Sequence, residues 1–291
     1  MTTPPDPVEL VRLRIQRTVR TFLTGSAAPP RRDQDRLDPG LFGPDSATWQ
    51  VHADTSMLIG GLRALLLQSL HPLTMAGVAE HSDFRNDPLG RLQRTAAYIG
   101  ITTYGSTAEA KAAIRHIRRI HDMVTGTAPD GRPYRANDPH LLGWVHATEV
   151  DSFLAAYQRY GGRPLTAARQ DAYVAEMAQL GRLVGVRKPP RTTAELRATL
   201  DTYRPELSAG RQARDAVRFL LVPPFPLAAR PLYGVIAGAA VSLLPWYARR
   251  LLWIPIAPGT EPLLVRPAAT ALVRVLGWAL ASPTSEVAVS A

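Results

Sequence analysis

Residues 106–126, STAEAKAAIRHIRRIHDMVTG, form the stretch of the chain that decides its fold class. Ser106 is followed three residues later by Glu109, which is the spacing of a capping box at the start of a helix. The stretch shows no alternation of apolar and polar residues that would favour a strand, and Gly126 supplies a helix-ending residue. We therefore predict a helix over residues 108–125.

One face of this predicted helix is apolar and contains a histidine. Ile114, Ile117, His121 and Val124 recur at i, i+3, i+7 and i+10, so they share one stripe. His121 is expected to point into the core, whereas His116 lies among arginines on the far side. An inward histidine is either a packed core residue or a neutral imidazole offered to a metal or a haem iron. The pattern leaves both interpretations open.

Helical patterns continue on both sides of this segment. Prolines and apolar periodicity predict further helices at residues 56–71, 89–99, 141–160, 164–184, 193–214 and 267–280. A proline-rich region over residues 219–268 is expected to form short helices and irregular segments. We predict a single all-α, multi-helix domain over residues 51–291, preceded over residues 1–50 by an amphipathic helix and a Pro/Gly-rich arm.

The composition excludes several classes of protein. The chain has 291 residues, no cysteine and a formal net charge of +10. Without cysteine there is no disulfide framework, no thiolate-bound iron and no cysteine nucleophile. Lysine occurs only at positions 111 and 188, so nearly all of the 34 basic residues are arginines, dispersed among apolar residues rather than gathered in runs. This pattern predicts no nucleic-acid binding and fits contact with an anionic membrane surface.

Hydrophobic stretches give the predicted location. The first 25 residues lack the apolar core of a secretion signal. No stretch reaches the roughly 20 uninterrupted apolar residues of a membrane-spanning helix. The longest, LYGVIAGAAVSLLPW at residues 232–246, is ended by Pro245 and the arginines that follow it. We predict a cytoplasmic protein with peripheral membrane contact.

The predicted helix over residues 89–99 gathers polar side chains. Arg91, Arg94, Thr95 and Tyr98 follow one another at i, i+3, i+4 and i+7, which places them on one face. Such a face is either solvated or directed into a cavity. In a cavity, an arginine fork can hold a carboxylate such as a haem propionate.

A di-iron site is a further alternative, but the order of its histidine and glutamate residues disfavours it. His146 and Glu149 stand three residues apart on the predicted helix over residues 141–160. A carboxylate-bridged di-iron site needs Glu-x-x-His on each of two helices, and the chain has neither pair in that order. It also lacks the glycine-rich, HExxH and GxSxG motifs of nucleotide-dependent enzymes, zinc proteases and serine hydrolases.

Two longer stretches resemble a known family. They are GGLRALLLQSLHPLTMAGVAEHSDFRNDPLGRLQRTAAYIGITTYG at residues 60–105 and RRIHDMVTGTAPDGRPYRANDPHLLGWVHATEVDSFLAAYQRY at residues 118–160. Both resemble the MpaB and latex-clearing-protein (rubber oxygenase) family. The resemblance implies an all-α, globin-reminiscent fold that binds haem b and uses dioxygen to cleave carbon–carbon double bonds of isoprenoids.

The resemblance also implies roles for individual residues. His121 matches the family's proximal haem ligand, and Arg91 and Thr95 match residues that line its haem pocket. Arg94 stands where the rubber oxygenases place a lysine that can close the distal side of the iron. A guanidinium stays protonated and presents only donors, so that lysine-ligated state is not expected here.

The combined expectation is a haem b-dependent oxygenase with His121 as the metal ligand. Tyr98 and His146 are further candidates for the cofactor pocket. The expected substrates are dioxygen and a small hydrophobic molecule, isoprenoid-like or otherwise unsaturated, with no obligate protein partner. The first alternative is a haem-binding sensor, storage or peroxidase-like protein without oxygenase turnover. The second is a non-catalytic helical module that binds a membrane or a partner.

Overall fold

A computed structural model describes residues 6–24, 38–83, 85–255 and 259–281. The described residues are mainly helical, which confirms the predicted all-α class. The helices are α1 Pro7–Thr24, α2 Ala47–His52, α3 Met57–Gln68, α4 Pro72–His81, α5 Pro88–Tyr104, α6 Thr107–Met123, α7 Pro139–Tyr160, α8 Ala167–Val184, α9 Thr193–Tyr203, α10 Arg211–Leu221, α11 Arg230–Ser242, α12 Trp246–Leu251 and α13 Arg266–Leu280. Short 3₁₀ turns lie at Arg204–Glu206 and Leu227–Ala229, and a π turn at Glu261–Val265 leads into α13.

The capping box predicted for α6 is confirmed, but the predicted end of that helix is wrong. The Ser106 hydroxyl accepts a hydrogen bond from the amide of Glu109, and the Glu109 side chain accepts one from the amide of Ser106. The helix ends at Met123, because the next residues enter a two-stranded antiparallel hairpin of β1 Thr125–Thr127 and β2 Pro133–Arg135. Gly126 therefore lies inside a strand. A Cβ there would come within 2.5 Å of the Tyr134 hydroxyl on the partner strand.

Several helices begin at a proline. Proline is the first residue of α4, α5 and α7, where a missing amide hydrogen costs nothing. Asp87 and Asp138 cap the last two by accepting from backbone amides. The helix predicted over residues 193–214 is in fact two helices, because a 3₁₀ turn that contains Pro205 separates α9 from α10.

The centre of the protein is the contact between α3 and α7. At Gly60 a Cβ would lie 2.9 Å from the Phe153 ring and 3.0 Å from the Ser152 carbonyl oxygen, so only glycine permits this approach. Beside it, Arg63 is 4% exposed and pairs with Asp151 at 2.7 Å. Arg63 also donates to the Leu243 carbonyl at 2.9 Å, which connects the pair to the segment that follows α11. A buried charge with this many partners fixes the relative positions of the three elements.

The helices that carry the predicted site residues pack in series around this centre. α5 contacts α6, α6 contacts α8, and α8 contacts α7. Arg118 of α6 donates to the Leu183 carbonyl of α8 at 3.3 Å. On the outside, α1 packs against both α5 and α13.

The C-terminal part presents many apolar side chains to solvent. Among the described residues, the helical stretch Glu261–Leu280 has the length and composition of a membrane-crossing helix, a test that core helices of soluble proteins also pass. Its inner face packs against α1 and α11 through buried residues such as Ala269 and Val273. Its outer face carries Leu263 and Leu264, which are 75% and 68% exposed.

Candidate functional site

The candidate residues lie on α5 and α6, two consecutive helices that contact each other. Arg91 is in the first turn of α5, and His121 is in the last turn of α6. His121 is half-buried, and its Nδ1 atom is buried without a hydrogen-bond partner. Burial lowers the pKa of His121, so the ring is neutral and offers a lone pair. His116, by contrast, is exposed.

Arg91 is a partly buried arginine. Burial lowers its pKa, with a smaller contribution from the neighbouring charge of Arg94. Its guanidinium makes no hydrogen bond or ion pair within the residues that the structure describes. A desolvated guanidinium is costly unless an anion compensates it. The side chain is thus suited to hold a carboxylate that the chain itself does not supply.

The single polar face predicted for α5 is divided in the structure. Arg94 is 65% exposed and turns back to pair with Asp87, the cap of the same helix, at 3.0 Å. Thr95 is exposed, and its hydroxyl donates to the Arg91 carbonyl at 3.0 Å. Of the two alternatives for this face, the solvated one describes Arg94 and Thr95, whereas Arg91 and Tyr98 are half-buried. The Asp87 carboxylate at the helix start draws Arg94 outward, whereas Arg91 and Tyr98 stay beneath it.

Tyr98 lies two turns further along α5 and faces α7. Its hydroxyl is buried without a hydrogen-bond partner. Burial raises the pKa of Tyr98, and the charge of Glu149 on α7 adds to the shift. Burial also raises the pKa of Glu149 itself to about 7, although part of its surface stays accessible. Glu149 is therefore a carboxyl group that is desolvated and yet partly accessible.

His146 stands one turn before Glu149 and is buried between α7 and α8. Its Nε2 atom has no hydrogen-bond partner, and burial lowers the pKa of His146 to about 4. The ring packs directly on Gly181 of α8, where a Cβ would approach Nε2 and Cε1 to 2.9 Å. His146 is therefore a neutral imidazole pressed against backbone, which makes it a wall of the site.

One buried and hydrogen-bonded histidine, His52, was not predicted from the sequence. His52 of α2 contacts the Thr103 hydroxyl at 2.8 Å through Nδ1 and the Tyr173 hydroxyl at 3.2 Å through Nε2. Burial lowers the pKa of His52 to about 3 and raises that of Tyr173, to which the charge of Glu149 contributes. No local spacing signals this network, because its partners are 51 and 121 residues away in the chain.

The site residues include groups that can hold a metal or an anionic ligand. A neutral imidazole, an unpaired guanidinium, two phenols and a protonatable carboxyl group come from helices that pack against one another. The family model described as "ER-bound oxygenase mpaB/B'/Rubber oxygenase, catalytic domain" matches residues 49–278, which is well over half of the chain. The chain belongs to this family. The family assignment made from the sequence is confirmed, and with it an oxygenase catalytic domain.

Within the MpaB/rubber oxygenase family, the matched region includes every residue of the candidate site. It begins inside α2, which supplies His52, and ends within α13. No curated protein and no solved structure matches the chain. The family assignment therefore rests on the catalytic-domain match.

Proposed function

We propose that the protein is a haem b-dependent oxygenase that uses His121 as the iron ligand. The observation that carries the proposal is the presence of two incomplete groups on α5 and α6, which contact each other. His121 has a buried ring nitrogen without a partner, and Arg91 has a desolvated guanidinium without an anion. A haem group contains both complements, a metal for the imidazole and propionates for the guanidinium.

The residues present fit this cofactor. His121 would hold the iron, Arg91 would hold a propionate, and the orphaned ring of His146 would pack as part of the wall. When bound, haem supplies the activation of dioxygen, which amino-acid side chains cannot perform. The family match supports the oxygenase reaction, and dioxygen is accordingly one substrate.

The remaining residues of the site would control protons and water. Glu149 has a pKa of about 7, so near neutral pH it can either donate or accept a proton. The Tyr98 hydroxyl, whose pKa is raised by burial, stays protonated and can donate a hydrogen bond to a bound substrate or oxygen atom. The apolar packing around them excludes bulk water, which strengthens each of these interactions.

Arg94 and Thr95 have weaker claims to a catalytic role than Arg91. Both are exposed, and both already have partners, in the Asp87 carboxylate and the Arg91 carbonyl. Arg94 has no lone pair to give to iron. We therefore infer that the distal side of the iron is not closed by this residue, in contrast to the lysine of the rubber oxygenases.

The substrate proposed is a small hydrophobic, unsaturated molecule that is reached from a membrane surface. The C-terminal part exposes Trp253 by 84% and Leu263 by 75%, and Arg249 and Arg250 lie nearby in the chain. Aromatic and aliphatic side chains next to arginines suit the interface of an anionic bilayer. We propose a cytoplasmic protein that makes peripheral membrane contact through this face.

The membrane contact can be tested with vesicles. The double change Leu263→Asp and Leu264→Asp should abolish co-flotation with vesicles that contain phosphatidylserine. Met123→Asp is the matched control, since Met123 is 74% exposed on α6 and should not affect flotation. Equal flotation of all three proteins would show that this face does not mediate the contact.

The cofactor is tested by the haem content of purified variants. His121→Ala should sharply reduce the haem bound per chain or shift its Soret band, whereas His116→Ala on the exposed face of the same helix should change neither. Arg91→Ala should weaken haem affinity. An unchanged spectrum and haem content for His121→Ala would refute the assignment.

Turnover separates an oxygenase from a haem-binding sensor or storage protein. The loaded protein should consume dioxygen in the presence of an isoprenoid alkene such as farnesol and form oxygenated products. Binding of haem without substrate-dependent oxygen consumption across a panel of such alkenes would favour the sensor. A colourless protein that gains no haem on reconstitution would favour the non-catalytic module.

A further inference from the structure

A second cluster of metal-binding side chains lies outside the site described above. His71 precedes α4, His140 lies in the first turn of α7, and Glu206 lies in the 3₁₀ turn after α9. The Nε2 atom of His71 is 3.2 Å from one Glu206 carboxylate oxygen. The Nε2 atom of His140 is 2.9 Å from the other oxygen and 3.0 Å from the first. The ligand atoms of all three residues lie within 4.8 Å of one another.

We propose that His71, His140 and Glu206 form a binding site for one divalent zinc ion. Two imidazoles and one carboxylate are a donor set that zinc takes in proteins, with a water molecule as the fourth ligand. In a tetrahedral site with bonds of roughly 2.0–2.1 Å, neighbouring ligand atoms stand about 3.3 Å apart. The three nitrogen–oxygen distances lie near that value, and the two imidazole nitrogens are within 4.8 Å of each other, so zinc binding would draw the two rings together.

The charges around the cluster suit a cation. The Glu206 carboxylate lies within hydrogen-bond distance of both imidazole Nε2 atoms and supplies a negative charge to the site. The nearby positive charge of Arg132 is paired with Asp130 at 2.7 Å.

The surroundings of His71 provide for the change of tautomer that zinc requires. The backbone amide of Thr74 is 3.5 Å from Nδ1 of His71, which is at the outer limit for a hydrogen bond. The hydroxyl oxygen of Thr74 is buried and has no partner. When Nε2 binds zinc, the ring proton moves to Nδ1 and needs an acceptor close by. The Thr74 hydroxyl has no partner to give up, so once Nδ1 releases the backbone amide of Thr74 this hydroxyl is the candidate acceptor.

The packing of the rings fixes the direction of the donors. His71 is fully buried and lies edge-on to His140 and Tyr203, with ring centres 6.1 and 6.3 Å away. His140 lies over Tyr203 with ring centres 4.6 Å apart, and the Tyr203 hydroxyl donates to the His140 carbonyl at 2.8 Å. Aromatic packing thus holds both imidazoles in place before any ion binds, which lowers the entropic cost of binding.

The position of the cluster indicates a structural role. His71 and Glu206 are separated by 135 residues, and His140 and Glu206 by 66. One ion would therefore connect the start of α4, the start of α7 and the end of α9. The cluster shares no residue with the proposed haem site, so loss of zinc should leave the haem ligand intact.

Zinc binding to the purified protein tests the proposal directly. After a chelator has removed bound metal, the protein should bind one Zn²⁺ per chain in equilibrium dialysis. Its Tm should then rise with zinc concentration. His140→Ala and Glu206→Gln should each weaken zinc binding by at least about 100-fold and abolish the rise in Tm. Because His140 is half exposed, its replacement should still give a folded protein.

Two control variants separate this site from others. His116→Ala removes an exposed histidine elsewhere, and His121→Ala removes the proposed haem ligand, and neither should change zinc affinity. The haem content of His140→Ala should equal that of the unmodified chain, so failure here is distinguishable from failure of the proposed function. Absence of stoichiometric Zn²⁺ binding, unchanged affinity in both site variants, or tighter binding of Fe²⁺ than of Zn²⁺ would overturn the proposal.

Discussion

Replacing Glu149 by glutamine is expected to stabilise the protein at alkaline pH and to leave its stability almost unchanged in acid. Burial raises the pKa of this carboxyl group from 4.5 to about 7. In the unfolded chain the group keeps its ordinary pKa, so unfolding releases the proton between these two values. The native state is therefore penalised as the pH rises through this window.

The size of the effect follows from the shift. A displacement of about 2.5 pKa units corresponds to about 3 kcal/mol, at 1.36 kcal/mol for each unit. Below pH 4.5 the group is protonated in both states and contributes no penalty. Above pH 7 it is ionised in both states and the full penalty of about 3 kcal/mol applies to the native chain. Glutamine has a similar shape and no charge, so the variant escapes the penalty.

Urea unfolding followed by far-UV circular dichroism measures this difference. The unfolding free energy of Glu149→Gln minus that of the unmodified chain should grow by about 3 kcal/mol between pH 4.5 and pH 8. Glu9→Gln, on α1, is the matched control, since the Glu9 side chain is 46% exposed, and the variant should show no such growth. A difference that is independent of pH, or one that grows toward acid, would refute the argument that Glu149 is desolvated.

Three other substitutions have expected outcomes. Arg63→Met should lower the unfolding free energy by about 3 kcal/mol in the same assay, because it leaves Asp151 without its partner; a loss below about 1 kcal/mol would contradict this. Gly181→Ala should destabilise the chain by about 1–3 kcal/mol and alter the proposed haem spectrum, since the new Cβ meets the His146 ring at 2.9 Å. Arg94→Ala should change neither the unfolding midpoint nor the haem content, because its pair with a capping carboxylate is exposed. A colour change in this last variant would place Arg94 in the site.

Patterns among neighbouring residues predicted most of the helices. They failed where a helix end depends on residues far away in the sequence. The Ser106–Glu109 capping box involves neighbours in sequence, so it could be identified without a structure. The end of α6 could not, because it depends on pairing with a strand ten residues further on. The break after α9 had a local signal in Pro205, but the apolar periodicity over residues 193–214 concealed it.

The candidate site shows the same division. Helical periodicity predicted that His121 points inward and that Arg91 lies on a polar face of α5. The same periodicity could not separate Arg91 from Arg94, which are neighbours on that face. What separates them is the Asp87 cap, which attracts one guanidinium and leaves the other desolvated. The cluster around Glu206 had no sequence signal, since its members meet only through tertiary packing.

The contact between α1 and α13 has a consequence for how the chain folds. Gln16 of α1 donates to the Ala279 carbonyl at 2.6 Å, across a separation of 263 residues, and Arg12 donates to the Ala281 carbonyl. During synthesis, α1 leaves the ribosome well before α13, so this contact cannot form until α13 has been made. Until then the side of α1 that faces α13 stays uncovered and is open to chaperones and to anionic surfaces. The final packing of α1 is thus a late step in folding, and it joins α5 to α13 only after α13 has been made.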